Sequence, residues 1–139
     1  YDERQYCSPG FNLPVGCFMR TPHGQYPEYH SSADNLDLIR SESLFRSYAY
    51  CLQVFELLEG NRAYVNQSPK CEPQLGRRGL YRAVAGQQEN QFRELALLWV
   101  LNMSDGQHAL LDIADRADLP FGQIQSAAEA LIEAGLLKE

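Results

Sequence analysis

Residues 110–137 read LLDIADRADLPFGQIQSAAEALIEAGLL. The spacing predicts a short helix from Leu110 to Ala117, with Leu111, Ile113 and Ala114 facing inward. Leu119-Pro120 opens a second helix, since Pro is favoured in a first turn where its missing N–H has no intrahelical partner. That helix runs to Ala134, with Ile124, Ala127, Ala128, Leu131 and Ile132 on its buried side. Gly135 fits a C-terminal cap, and Leu136-Leu137-Lys138 can begin a wing strand. Upstream, Gln91 to Met103 forms a further helix, apolar on most sides near Leu95–Leu101, and Ser104-Asp105-Gly106 breaks it. Helix, short helix, tight turn and longer helix follow the helix-turn-helix order. With a strand after Gly135, the expectation for residues 86–139 is a small winged helix-turn-helix domain.

Working back from there, Gln67 to Gly79 is a polar loop rich in Pro and Gly, preceded by a short strand at Arg62–Asn66. Ser41 to Glu59 is a helix in which Leu44, Tyr48, Leu52, Phe55 and Leu58 follow the three/four spacing of one buried stripe. Ser41 or Ser43 can cap its start, and Gly60-Asn61 ends it. Prolines at positions 9, 14, 22 and 27 exclude long helices from residues 1–33. Val15-Gly16-Cys17-Phe18-Met19 is long enough for a buried strand. Residues 1–85 thus read as one long helix, two short strands and ordered loops.

The 139 residues are 45% hydrophobic and 22% charged, as in a globular protein. No apolar run is long enough to cross a bilayer. The chain opens on Tyr1-Asp2-Glu3-Arg4-Gln5, without an initiator Met or a signal-peptide pattern, which suggests a processed product or part of something longer. Cysteines 7, 17, 51 and 71 show no metal-finger spacing and read as free thiols of a reducing, cytoplasmic compartment. Residues 1–85 hold nine Lys/Arg and nine Asp/Glu, whereas residues 86–139 hold three against nine, so the net charge of −6 sits wholly on the C-terminal part. Such a segment repels phosphate.

The stretch Glu28-Tyr29-His30-Ser31-Ser32-Ala33-Asp34-Asn35-Leu36 carries the chemistry. His30, Ser31, Asp34, Asn35 and Leu36 resemble the H-[ST]-x-x-D-[TN]-L pattern of the co-catalytic zinc aminopeptidase superfamily, in which that His is the last metal ligand. Asp2, Tyr6 and Gly10 resemble its upstream Asp, aromatic and Gly positions. Three further stretches are similar to signatures of one subgroup, the aminopeptidase-like proteins linked to polysaccharide biosynthesis, which end in a winged helix: Asp2–Gly10, Arg20–Gly24 and Cys71–Tyr81. The resemblance implies that residues 1–85 are the C-terminal segment of a three-layer αβα zinc-peptidase domain. It also implies that His30 is one ligand to one or two Zn ions in the intact parent, and that the substrate is a peptide or small amide. Zinc would polarise the scissile carbonyl and acidify the attacking water. Asp34 is expected to cap the next helix or brace the loop.

The other ligands and the general-base Glu of that superfamily lie upstream of this stretch. The fragment is therefore expected to contain no catalytic residue and to bind no Zn alone, because a zinc site needs three or four protein ligands. Glu3 stands where many relatives have His. Phe11 stands where some place a Tyr near the scissile carbonyl, and a Phe has no hydroxyl for an oxyanion. Phe11, His23, Arg77 and Arg78 are the substrate-binding candidates, the two Arg suiting a carboxylate or phosphate. The plainer readings are that His23 hydrogen-bonds its loop, that Glu72 and the two Arg pin theirs, that Tyr26 and Tyr29 are packing residues, and that His108 is a surface residue. The third helix has Gln123, Gln125, Ser126, Glu129 and Glu133 outward and no Lys or Arg, which disfavours nucleic acid. Three functions are in view: a zinc aminopeptidase-type hydrolase, a non-enzymatic module whose winged helix recruits a protein partner or a second copy, and a DNA-binding regulator.

Overall fold

The computed structural model describes residues 2–81 and 87–139. It divides into two units, residues 1–47 and 48–139. In the first, helix α1 (Glu3–Tyr6) is a single turn, and most of residues 7–40 is loop. The Cys7 thiol donates to the carbonyls of Leu13 and Val15 at 3.2 and 3.3 Å. The strand expected at Val15–Met19 does not form: these residues are exposed and in no regular structure. A strand needs a neighbour to satisfy its backbone groups, and among the described residues none pairs with this one. The Arg20 guanidinium ties the loop to the start of helix α2 (Ser41–Gly60), donating to the Ser43 carbonyl and to Ser47 Oγ.

Helix α2 forms where the spacing places it, but its stripe is not buried. Leu44, Tyr48, Leu52, Phe55 and Leu58 are each 40% exposed or more, as are Phe45, Tyr50 and Val54. Phe45, Tyr50 and Val54 widen the apolar surface beyond a single stripe, as in a helix covered on more than one face. No residue of α2 is buried, and only Ser43, Ser47, Ala49, Cys51, Leu57 and Gly60 are half-buried.

The second unit is built around strand β1 (Ala63–Asn66). After it come helix α3 (Gln87–Met103), strand β2 (Asp105–Ala109), helix α4 (Leu110–Ala117), helix α5 (Phe121–Glu133) and strand β3 (Leu137–Lys138). The sheet order is β2-β1-β3, with both pairings antiparallel. Ala63 faces Ala109, Val65 faces Asp105 and Lys138, and Asn66 faces Leu137. Strand β2 was not foreseen, because Ser104-Asp105-Gly106 reads only as a helix break. Gly106 is required there. Its φ is +82°, and an added Cβ would lie 3.1 Å from Val65 Cγ2. Helix α5 ends as expected: Gly135 takes φ +69° and the Leu136 N–H reaches back to the Leu131 carbonyl.

The core joins Ala96, Leu97 and Val100 of α3, Leu110 and Ile113 of α4, Ile124, Ala128 and Leu131 of α5, and Leu136 and Leu137. Leu111 and Ile132, expected inside, are each 40% exposed. Each follows a fully inward Leu, and the 100° step of a helix turns it off the core face.

Two features tie residues before position 85 to this unit. Strand β1 is the central strand of the sheet, and Leu75 and Leu80 of the loop after it are buried in the same core. The first α4 amides are also met from upstream. Leu110 N–H donates to the Arg62 carbonyl at 2.9 Å, and Leu111 N–H donates to Asn61 Oδ1 at 2.9 Å. These are two of the donors that a helix start leaves without an intrahelical partner.

Leu75→Ala is expected to destabilise residues 48–139 by about 2–5 kcal/mol in denaturant unfolding, whereas Arg77→Ala, on the exposed side of the same loop, shifts stability by less than about 0.5 kcal/mol. Equal effects would show that the loop is not part of this core.

Candidate functional site

In the first unit, His23, Tyr26, Tyr29 and His30 form an aromatic run. The His30 ring stacks on Tyr29 with centroids 4.0 Å apart and planes 13° from parallel. Tyr29 meets Tyr26 edge-on at 5.5 Å and His23 at 5.8 Å. The two tyrosines are half-buried, while both histidines are exposed. His30 has φ +57°, a left-handed conformation uncommon outside glycine. The loop is locked on either side of it. Ser31 Oγ donates to the Glu28 carbonyl at 2.7 Å and accepts from Ala33 N–H at 3.2 Å. The capping role considered for Asp34 belongs to its neighbour: Asn35 Oδ1 accepts from Asp37 N–H at 2.8 Å and starts the 3-10 turn Leu36–Leu38. Asn35 is extended there, the backbone state an N-cap needs.

Among the described residues, no group of three or more His, Cys, Asp or Glu could hold a metal ion. Phe11 lies in the first unit, 72% exposed. All four thiols are free. No helix among the described residues is long and apolar enough to cross a membrane.

Arg77 and Arg78 lie in the second unit, in the loop that carries Leu75 and Leu80. Arg78 donates from Nε to the Pro73 carbonyl at 3.1 Å and from Nη1 to the Ala134 carbonyl at 3.2 Å, pinning the loop to the end of α5. Glu72 Oε1 accepts from Leu75 N–H at 2.8 Å and holds the turn itself. Burial, then the nearness of Glu72 and Glu94, pushes the Tyr81 hydroxyl pKa up. Arg77 is exposed.

His108 is partly exposed, and its Nδ1 lies 3.0 Å from Asp105 Oδ2. Hydrogen bonds from Gln107 N–H, the His108 ring and His108 N–H hold the Asp105 carboxyl at about 2, against an ordinary value of 3.8. Sequence reasoning missed Asn61, Asn66 and Asp105 as organising residues. Each lies next to a glycine or at a strand end, where a short polar side chain is read as turn filler.

Residues 62–139 match the winged helix-turn-helix family, and the chain belongs to that family over more than half its length. Residues 1–61 match a domain of unknown function, DUF4910. The chain is 51% identical, over 137 residues, to a Clostridium acetobutylicum protein named provisionally for polysaccharide biosynthesis with an aminopeptidase-like domain. That match covers 99% of this chain and 31% of the relative. It is also similar to a crystal structure named provisionally as a peptidase from the same organism, at 47% identity and a TM-score of 0.83, covering 99% of this chain and 29% of that one. The chain thus spans about a third of the length of the relatives it matches.

Because the Asp105 pKa is lowered on folding, its hydrogen bonds stabilise the fold fully above the ordinary carboxylate range. That contribution is expected to fade as pH falls from about 4 towards the Asp105 value of about 2. Acid unfolding followed by circular dichroism checks this: Asp105→Asn should flatten the decline between those limits, and an unchanged profile would contradict it.

Proposed function

We propose that this chain is a section of a zinc-dependent, aminopeptidase-type hydrolase, in which His30 supplies one metal ligand. The observation that carries the reading is the 51% identity, across 99% of the chain, to a protein named for an aminopeptidase-like domain. The His30 loop adds local support. A non-glycine residue held in the left-handed region costs energy, and such strain clusters at functional sites. A bound zinc would polarise a peptide or small-amide carbonyl and acidify water. His30 would hold the ion through a neutral imidazole, and the remaining ligands would come from elsewhere in a longer polypeptide.

In this reading Phe11 and His23 are the substrate-side candidates of the first unit. Arg77 is a candidate for a substrate carboxylate or phosphate, while Arg78 serves its loop. The apolar α2 would be one helix of a three-layer αβα domain, covered by a sheet that the longer polypeptide provides. That would account for side chains such as Phe45 and Phe55, now 68% and 60% exposed. Free thiols fit a cytoplasmic setting.

A second reading, a non-enzymatic interaction module, is favoured by α5. The outward positions Ser126, Glu129 and Glu133 are exposed, and the helix carries no Lys or Arg. Such a face repels DNA phosphates and suits a protein partner.

Metal analysis of the full-length protein decides between the two. Wild type should hold one or two zinc ions per chain, His30→Ala should lose at least about half of them, and Asp34→Asn should keep them. Equal zinc in wild type and His30→Ala would remove His30 as a ligand, and no zinc in either would favour the interaction module.

A further inference from the structure

A groove of about 830 Å³ lies within the second unit, between strand β1, the loop after it and helix α3. Its apolar wall includes Val65, Leu95, Leu98 and Trp99. The first three are 45%, 42% and 45% exposed, although β1 and α3 are otherwise core elements. Two carboxylates, Glu72 and Asp105, also line it; among the described residues no Lys, Arg or His does, and Lys70, in the same loop, is not a lining residue.

We propose that this groove docks a cationic amphipathic segment of a partner protein. Its apolar side chains enter between Leu95, Leu98 and Trp99. Its Lys or Arg side chains face Glu72 and Asp105. The charge pattern selects this occupant. Phosphate-bearing ligands and anionic lipid surfaces meet two carboxylates and, among the described residues, no cation. A second copy of this chain brings more of the same sign, since the net charge is −6 and α5 contains no basic residue. A helix or extended segment with one apolar and one basic face offers both complements at once.

Trp99 is the only tryptophan in the sequence, so its fluorescence reports on the groove directly. The probe is a synthetic Leu/Lys amphipathic peptide of about five helical turns, titrated into the 139-residue chain. A Leu/Glu peptide of equal length is the comparison. The Leu/Lys peptide should give a saturable Trp99 shift that weakens with added salt, and the Leu/Glu peptide should give none. Affinity should fall about tenfold or more in the Glu72→Gln/Asp105→Asn double variant and in Leu98→Lys. Leu98 is 45% exposed, so that variant keeps the fold even if the double variant loosens the β2 turn. Leu111→Lys, at an exposed position on α4 outside the groove, should bind as wild type. The proposal is overturned if Trp99 does not respond, if both peptides bind alike, or if Leu98→Lys and Leu111→Lys bind equally.

Discussion

The insertion of residues 63–66 between the strands at 105–109 and 137–138 is the contact on which the winged-helix unit depends. β2 and β3 do not pair with each other, so without β1 both would present unpaired backbone groups beside the core. The strand is also fastened at its ends. Asn61 and Arg62 receive the first amides of α4. Asn66 N–H donates to the Ser104 carbonyl, and Asn66 Nδ2 donates to the Leu101 carbonyl at the end of α3. One short segment thereby sets the positions of two helices and two strands.

That arrangement bears on function through connectivity. β1 comes only two residues after α2, so the helix-turn-helix does not begin at a flexible tether. The last residues of α2 lie against α5: a Cβ at Gly60 would sit 3.0 Å from the Gln125 side chain. The strand beside β3 comes from upstream of α3, where Arg62 and Glu139 form an exposed ion pair at 3.5 Å. An exposed pair of this kind adds little stability. The outer face of α5 is acidic, and that helix carries no Lys or Arg.

The helices were legible because their cores repeat on a helical period. α4 falls on Leu110–Ala117, and α2 and α5 lie within a residue or two of their expected bounds. What was not legible depends on long-range pairing. Val15–Met19 and Arg62–Asn66 look equally like strands, yet only the second finds partners, and those lie more than 35 residues away. β2 was hidden for the same reason. Leu75 was read as loop, and Leu80 was placed in no element, because isolated leucines among Gly, Pro and Arg have no period. The stripe on α2 was correctly patterned but is uncovered here, since period reports that a face wants burial, not what buries it. At the His30 loop, the motif placed the residue between a loop and a helical turn, but spacing could not foretell its left-handed backbone or its stacking on Tyr29.

Hydrogen exchange on the 139-residue chain tests the central role of β1 most directly. The amides of Asn66, Gln67 and Leu110, bonded to Ser104, Leu136 and Arg62, should exchange as slowly as the core amides of α5. Fast exchange at those three positions, matching the loop at residues 12–19 while α5 stays protected, would show that the helices stand without the strand and would contradict this account.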